Sequence, residues 1–327
     1  MIMYLLNRAF HAIFVIFVVS ILAFVLGAFI GDPVATILGL DATPQERAAL
    51  SERLHLGDPV VVRYGRYVLG VASGNFGTSY GAQRPVADLL AERIPATMEL
   101  AGVALVTSLV GGVMLGVYAA VKRKSRIARS LMTLSVIGVS LPTFVVGILL
   151  IFCFSIALGW LPSFGRGGVV KVGFWSTGLL TVSGLKSLVM PALALSIGQI
   201  ALVARLTRSE MLEVLRSDYI RFARARGLKD RSINLSHALR NTLIPIITVS
   251  GIQLGYLVAF AVVIEQVFQW PGMGLLFLQA LGQTDLPVIS AFLIVAAVFF
   301  VCINLIVDLL YTVADPRLRV MHNRPSR

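Results

Sequence analysis

Six long apolar runs constrain this 327-residue chain more than any other feature. A helix needs about 20 residues to cross the roughly 30 Å of hydrocarbon in a bilayer. Runs of that length lie at residues 9–30, 98–121, 131–158, 188–206, 242–264 and 288–312. Only 13% of the chain is charged, whereas soluble domains are about a quarter charged. The sequence therefore predicts an all-α integral membrane protein with six transmembrane helices.

The first run, AFHAIFVIFVVSILAFVLGAFI, follows Arg8 and has the polarity of a secretory signal peptide. It is longer than the apolar part of such a signal, and it lacks a convincing small-residue cleavage site. We therefore expect an uncleaved first helix.

The distribution of lysine and arginine predicts the orientation of these helices. Nineteen of the 28 basic residues lie on the face that holds both ends of the chain, the segment KRKSRIAR and residues 205–240. Because basic residues concentrate on the cytoplasmic side, both termini are predicted to be cytoplasmic. This asymmetry accounts for the formal net charge of +12 without a nucleic-acid partner.

The outer segment 31–97 is too long for a plain connection and carries helix signals. Thr43 is placed to cap a helix, with Pro44 at its first position and Glu46 in the capping-box position. Helical patterns follow in DPVVVRYGRYVLGV and PVADLLAERI. We predict a small helical outer subdomain, too short and too poor in strands to be a ligand-binding domain by itself.

The second outer segment, residues 159–187, is rich in glycine and is predicted to be irregular. Its Trp160 and Trp175 are typical of side chains that anchor a protein at the membrane–water interface.

The inner loop at 207–241 contains YIRFARARGLKD, which predicts a short helix. Asp218 is placed as its N-cap, and Gly227 is placed to end it in a left-handed conformation. One face then carries residues at i, i+3, i+4 and i+7, namely Tyr219, Phe222, Ala223 and Arg226. A second short helix is predicted from Asp230 towards the next span.

This pattern allows two interpretations of the helix. One is an amphipathic helix that lies on anionic lipid through its arginines, and the other is a docking helix for a soluble partner. The small Ala223 and the glycine stop suit close approach to a protein, but the residues alone leave both interpretations open.

YIRFARARGL followed by HALRNTLIP resembles the cytoplasmic signature of permease subunits of binding-protein-dependent ABC transporters, in the dipeptide, oligopeptide and nickel branch. Further stretches are similar to that branch in the same order along the chain: MIMYLLNRAFHAIF, GNFGTSYGAQRPVADLLAERIPATMEL, SLPTFVVGILL, LVARLTRSEMLEVL, VIEQVFQWPGMG and NLIVDLLYTVADPR. Together these stretches cover most of the chain.

The resemblance implies a type I ABC importer-like permease fold with a cytoplasmic coupling helix that docks on an ATPase. The residues implied to dock are Asp218, Tyr219, Phe222, Ala223, Arg226 and Gly227. The general permease pattern is EAA, three residues and Gly. Here Arg221 and Phe222 stand where the glutamate and first alanine are expected, so no contact of an acidic residue is carried over.

The predicted spans, together with the resemblance, divide the chain into four parts. Residues 1–30 would hold the N-terminal end and first helix, 31–97 the extracytoplasmic helical segment, 98–312 the five-helix permease core with its coupling loop 207–241, and 313–327 a cytoplasmic tail.

The partners implied are a second homologous permease subunit, two ATP-binding subunits that hold ATP and Mg, an extracytoplasmic solute-binding protein and the lipid of a bacterial inner membrane. Short peptides are the implied cargo, with import as the direction. Nickel chelates, glutathione-like compounds, opines and sugars are alternatives. Five residues near the stretch 267–274 are predicted to form an outer gate or a binding-protein contact, with a plain interfacial turn as the alternative: Glu265, Trp270, Pro271, Gly272 and Gly274.

We predict no catalytic residue, metal or cofactor on this chain. It lacks a P-loop for nucleotide phosphates, and its four histidines are scattered without ligand spacing. An ion-coupled carrier or a channel is the alternative class. A carrier would place carboxylates near the membrane midplane, whereas Glu99, Glu265 and Asp308 are expected near span ends, where water or headgroups reach them.

Overall fold

The computed structural model describes residues 2–29, 34, 38–39, 42–53 and 55–314. The first half of the chain contains α1 (Ile2–Phe29), α2 (Pro44–Arg53), α3 (Val60–Ala72), α4 (Val86–Val121), α5 (Arg126–Ser140) and α6 (Thr143–Leu150). A π-helical segment, Ile151–Ala157, continues α6, and strands β1 (Val170–Val172) and β2 (Trp175–Thr177) follow. The second half contains α7 (Val182–Arg216), α8 (Asp218–Ala225), α9 (Asp230–Ser232), a second π-helical segment (Ile233–Ala238), α10 (Leu239–Val267), α11 (Met273–Gly282) and α12 (Leu286–Ala314).

Five helical stretches in the described residues are long and apolar enough to cross a membrane. They are Arg8–Gly27, Val86–Val121, Val182–Arg216, Pro245–Val267 and Leu286–Val307. They coincide with the first, second, fourth, fifth and sixth predicted spans.

The predicted third span, residues 131–158, is a bent pair of helices instead of one straight helix. Arg126–Ser140 and Thr143–Ala157 meet at an angle of 109°. Pro142 explains the break, because proline lacks a backbone donor and disfavours helical geometry at the preceding residue, Leu141. The described residues contain up to six candidate spans if the bent pair counts as one.

Two spans belong to helices that are longer than the apolar runs. Helix α4 has 36 residues and joins the predicted outer helix PVADLLAERI to the second span, with Pro95 inside it. Helix α7 has 35 residues and continues ten residues past the predicted span end at 206. Its additional segment, TRSEMLEVLR, is rich in good helix formers, so the helix continues where hydrophobicity ends.

A glycine pair lets α4 and α7 pack closely. A Cβ atom on Gly112 would lie 2.5 Å from Cβ of Val203, and one on Gly116 would lie 2.6 Å from the carbonyl oxygen of Ala204. The sequence GVMLG has the G-x-x-x-G spacing that brings membrane helices together. Our reading of the sequence missed this signal.

The predicted capping box at the start of α2 is confirmed. The Thr43 backbone N–H donates to Glu46 Oε2 at 2.9 Å, and the Glu46 N–H donates to Thr43 Oγ1 at 3.3 Å. The Thr43 hydroxyl also donates to the carboxylate, at 2.8 Å. The backbone and then the side-chain hydrogen bond from Thr43 hold the pKa of Glu46 below its ordinary value of 4.5.

We expect this capping box to weaken at low pH. A carboxyl whose pKa is lowered in the folded chain stabilises it above the ordinary pKa, and the contribution is lost as pH falls through the lowered one. Amide hydrogen exchange of Pro44–Arg53, corrected for intrinsic rates, should show more protection in the wild type than in Glu46→Gln at neutral pH. This difference in protection should disappear once Glu46 is protonated. Glu52→Gln is the control. A difference independent of pH would contradict this.

Residues 159–187 contain a small hairpin where an irregular loop was predicted. Strands β1 and β2 are antiparallel, with Val170 opposite Thr177 and Val172 opposite Trp175. Gly173 has φ +64°, so the two-residue turn starts with the glycine that such tight hairpins favour. Thr181 then caps α7 by accepting a hydrogen bond from the Gly184 N–H at 3.0 Å.

The chain forms two compact units. The first comprises Met1–Pro95 and Pro271–Cys302, and the second comprises Ala96–Trp270 and Ile303–Arg327. The first has a core around Leu90, Met273 and Val288. The second has one core around Leu100, Met190 and Ile264 and another beneath α8. The four-part division from the sequence stays a prediction, and most of its tail, 313–327, lies outside the described residues.

Candidate functional site

Helix α8 begins one residue earlier than predicted. Ser217, with φ −67° and ψ 154°, occupies the N-cap position, and Asp218 is the first helical residue. The prediction of Asp218 as the cap is therefore wrong. Its carboxylate instead accepts from Arg221 Nη1 at 3.0 Å, and an acidic group in the first turn still favours the helix dipole.

The end of α8 matches the prediction. Gly227 has φ +78°, in the left-handed region. Its N–H donates to the Arg224 carbonyl at 2.9 Å, and the Leu228 N–H donates to the Ala223 carbonyl at 3.3 Å. These two bonds form a Schellman motif, which requires a residue that tolerates positive φ.

The inner face of α8 is fixed to the rest of the second unit by apolar contacts. Ile220 is fully buried and Ala223 is 5% exposed. Both pack in one cluster with Ala120 of α4, Met211 of α7, and Ile233 and Ala238 of the π-helical segment. Ala223 was predicted to share the docking face, but it faces inward, because Ile220 is the large apolar side chain that orients the helix.

The outer face of α8 carries Tyr219, Phe222 and Arg226, which we call the aromatic surface. Tyr219 is 50% exposed and Phe222 is 62% exposed. The Tyr219 hydroxyl lies 2.7 Å from Nδ1 of His237, and the Arg226 guanidinium lies 5.5 Å from the centre of the Phe222 ring. Both aromatic rings are therefore held in place while they remain accessible.

This surface has the composition of a protein-binding site. Tyrosine, tryptophan and arginine dominate the residues that contribute most to protein–protein affinity. Preformed side chains also lose less conformational entropy on binding. The aromatic surface can therefore bind a partner with little rearrangement of its own.

The second unit also contains a buried polar cluster, apart from the aromatic surface. Arg166 Nη2 donates to Glu99 Oε2 at 2.6 Å and to the Ser176 carbonyl at 2.6 Å. The Gly178 N–H also donates to Glu99 Oε2, at 3.3 Å. The side chains of Arg166 and Glu99 are only 7% and 4% exposed. The expectation that water or headgroups reach Glu99 is wrong, because the hairpin segment covers it.

Glu265 and Trp270 are also buried, with exposures of 0% and 1%. Thr97 donates its hydroxyl to Glu265 Oε1 at 2.6 Å, and Trp270 Nε1 donates to the Ala96 carbonyl at 2.9 Å. The expected exposure of Glu265 is therefore also wrong. We call Glu99, Arg166, Glu265 and Trp270 the outer polar network. The sequence offered no local signal for the pairing of Arg166 with Glu99, which lies 67 residues away along the chain.

The rest of the predicted outer set lies at the start of α11. Pro271 is partly buried, and Gly272 and Gly274 are buried. Gly272 occupies the N-cap position of α11. A role of these residues in gating or in binding-protein contact stays a prediction. The side chain of Asp308 lies outside the described part of the chain.

The spans and helix α8 define a class: a multi-pass helical membrane protein that exposes an aromatic surface on the helix between two of its spans. The chain belongs to the family of binding-protein-dependent transport system inner membrane components, which its residues 112–320 match. Residues 1–101 match the N-terminal region described for such membrane components. The chain is therefore a multi-pass protein of the inner membrane.

Curated relatives match nearly the whole chain. A putative peptide transport system permease protein of Brucella abortus is 40% identical over 316 residues, which cover 96% of this chain and 98% of the relative. The dipeptide transport system permease protein DppB of Alkalihalophilus pseudofirmus is 40% identical over 301 residues, which cover 88% of this chain and 90% of the relative.

A solved structure supports the fold. The chain matches the MetNI methionine ABC transporter in an inward-facing conformation with a TM-score of 0.56 and 19% identity. The match covers 69% of this chain and 96% of the other chain. This likeness agrees with the type I importer-like fold that the sequence predicted.

Proposed function

We propose that this chain is the membrane-spanning permease subunit of an ATP-driven importer of short peptides. The observation that carries the proposal is the aromatic surface of α8, which projects from a helix whose other face is built into the second unit. Family membership supports a transport role, and the names of the two curated relatives support peptides as the cargo.

In this proposal the energy comes from other chains. Two ATP-binding subunits bind ATP and Mg. One of them docks on Tyr219, Phe222 and Arg226 of this chain, on a helix that begins at Asp218 and is ended by Gly227. A second homologous permease completes the pathway, and an extracytoplasmic solute-binding protein delivers the peptide. The permease itself hydrolyses nothing.

The contacts of α8 support a mechanism for coupling. ATP binding draws the two ATP-binding subunits together, and each moves the helix docked on it. Because Ile220 and Ala223 are buried against residues of α4, α7 and the π-helical segment, α8 moves with those helices. The pathway then alternates between inward-facing and outward-facing states.

Gentle purification of the tagged chain from its native membrane, with mass spectrometry of the proteins that accompany it, tests this function. We expect two kinds of partner: a similar permease and ATP-binding subunits. In proteoliposomes supplied with the solute-binding protein, the purified complex should hydrolyse ATP faster when a dipeptide is present. Competition by glutathione or a nickel chelate ranks the alternative cargoes.

Two results would contradict the proposed function. Recovery of the chain alone, or uptake that stops with a protonophore but continues after ATP depletion, would contradict an ATP-driven importer. It would favour an ion-coupled carrier and return α8 to the lipid surface.

A further inference from the structure

The first unit contains a cavity of about 280 Å³ that the proposed transport function does not use. A water molecule occupies about 30 Å³ in the liquid, so the cavity has room for a larger group. Its wall combines the last turns of α1, helix α3 and the start of α12. Because α1 and α12 are membrane spans, the cavity lies where the hydrocarbon region ends on the predicted outer side.

The polar part of the wall is cationic. Arg63 and Arg66 of α3 both line the cavity. Arg66 pairs with Asp58 at 2.6 Å, whereas no described carboxylate pairs with Arg63. One positive charge therefore faces the cavity without a counter-ion from the described chain, and a partly buried arginine of this kind favours an anion.

A hydroxyl group beside this arginine also lacks a partner. The Tyr67 hydroxyl is buried and makes no hydrogen bond, although Tyr67 lines the cavity. Its neighbour Tyr64 differs, because that hydroxyl lies 2.8 Å from Ser20 Oγ. Burial raises the pKa of Tyr67, so its hydroxyl stays protonated and available as a donor. A buried donor without an acceptor is costly, and an anion in the cavity would satisfy it.

Most of the remaining wall is apolar, although His55, Tyr80 and Ser290 also line it. Ala23, Phe24 and Gly27 come from α1, and Leu286 and Ala291 come from α12. A free inorganic anion gains nothing from these side chains, whereas the first methylene groups of an acyl chain would be buried against them. The cavity thus offers donors at one part of its wall and hydrocarbon contacts at another.

We propose that this cavity binds an anionic phospholipid of the outer leaflet, with the headgroup phosphate accepting hydrogen bonds from Arg63 and Tyr67. The lipid would join α1, α3 and α12 where they meet at the membrane surface. Arg66 remains paired with Asp58 and adds to the positive potential. The site shares no residue with the aromatic surface or the outer polar network.

Lipid retention tests the proposal. The full chain, purified in mild detergent from a membrane that contains phosphatidylglycerol, should retain that lipid. Arg63→Gln should retain about tenfold less, since a hydrogen bond to a charged group is worth about that factor or more. Tyr67→Phe should also retain less. Two matched variants should retain the wild-type amount: Arg47→Gln, on α2, and Tyr64→Phe, whose hydroxyl already bonds to Ser20.

A stability measurement separates a ligand site from a merely structural role. After delipidation, Tyr67→Phe should unfold at the same temperature as the wild type or higher, because it loses only an unsatisfied hydroxyl. Added phosphatidylglycerol should raise the wild-type midpoint more than it raises that of Tyr67→Phe or Arg63→Gln.

Three outcomes would overturn the assignment. The first is equal retention by Arg63→Gln and Arg47→Gln. The second is equal stabilisation by phosphatidylcholine and phosphatidylglycerol. The third is stabilisation by inorganic phosphate that matches the lipid and depends on Arg63, since the anion would then come from solution.

Discussion

Replacing Arg166 by methionine is expected to destabilise the folded chain by about 3–5 kcal/mol. The change removes the cation that lies 2.6 Å from Glu99 and leaves a carboxylate whose side chain is 4% exposed. It also removes the two hydrogen bonds that Arg166 donates to Ser176. A buried charge without a partner costs far more than an exposed pair contributes. Denaturant unfolding in mixed micelles would measure the loss.

Two further variants give this prediction its controls. Arg166→Met combined with Glu99→Gln removes both charges, so the double variant should be more stable than Arg166→Met alone. Lys171→Met removes a cation from an exposed position on β1 and should change stability little. If Arg166→Met unfolds at the same denaturant concentration as Lys171→Met, the buried pair contributes nothing and the account of the outer polar network is wrong.

Replacing Tyr219 and Phe222 together by alanine is expected to remove from the purified complex the ATP-binding subunit that docks on this chain. Truncating a central aromatic contact typically costs 2 kcal/mol or more, about 30-fold in affinity for each. The fold should survive, since the two side chains are 50% and 62% exposed. Co-purification, and then peptide-stimulated ATP hydrolysis in proteoliposomes, would measure the effect.

The neighbouring residues separate docking from folding. Tyr118→Ala removes an aromatic side chain that is 37% exposed on α4, and it should leave the complex intact. Ile220→Ala empties a buried position beneath α8 and should lower stability by about 2–5 kcal/mol. If the complex of the Tyr219 and Phe222 double variant keeps the wild-type number of ATP-binding subunits, the aromatic surface is rejected as the docking site.

The apolar runs of the sequence predicted the spans well, because burial in lipid needs an uninterrupted stretch of apolar side chains. They did not predict where helices continue or bend. Helix α7 continues through TRSEMLEVLR, whose helix-forming residues are polar. The bend of 109° comes from Pro142, which sits in a run that hydrophobicity alone reads as one span.

The candidate sites show a similar division. Spacing correctly predicted the left-handed Gly227, since that residue's conformation is decided locally. Helical spacing alone could not tell which face of α8 is inward. Tyr219 and Ile220 are adjacent in sequence and lie on different faces, and either could have pointed into the core. The outer polar network was missed because its pairs form only when the chain folds. Arg166 binds Glu99, and Thr97 binds Glu265, across 67 and 168 residues of sequence.

The connection between α7 and α8 is only one residue long. At 1.5 Å per residue, the 35 residues of α7 measure about 52 Å, well beyond a hydrocarbon thickness of about 30 Å. Ser217 is the single residue between Arg216 and Asp218. A flexible linker would absorb a movement of α8, whereas a single residue cannot. In the proposed function, α7 would therefore carry a displacement of α8 from the predicted cytoplasmic surface into the membrane.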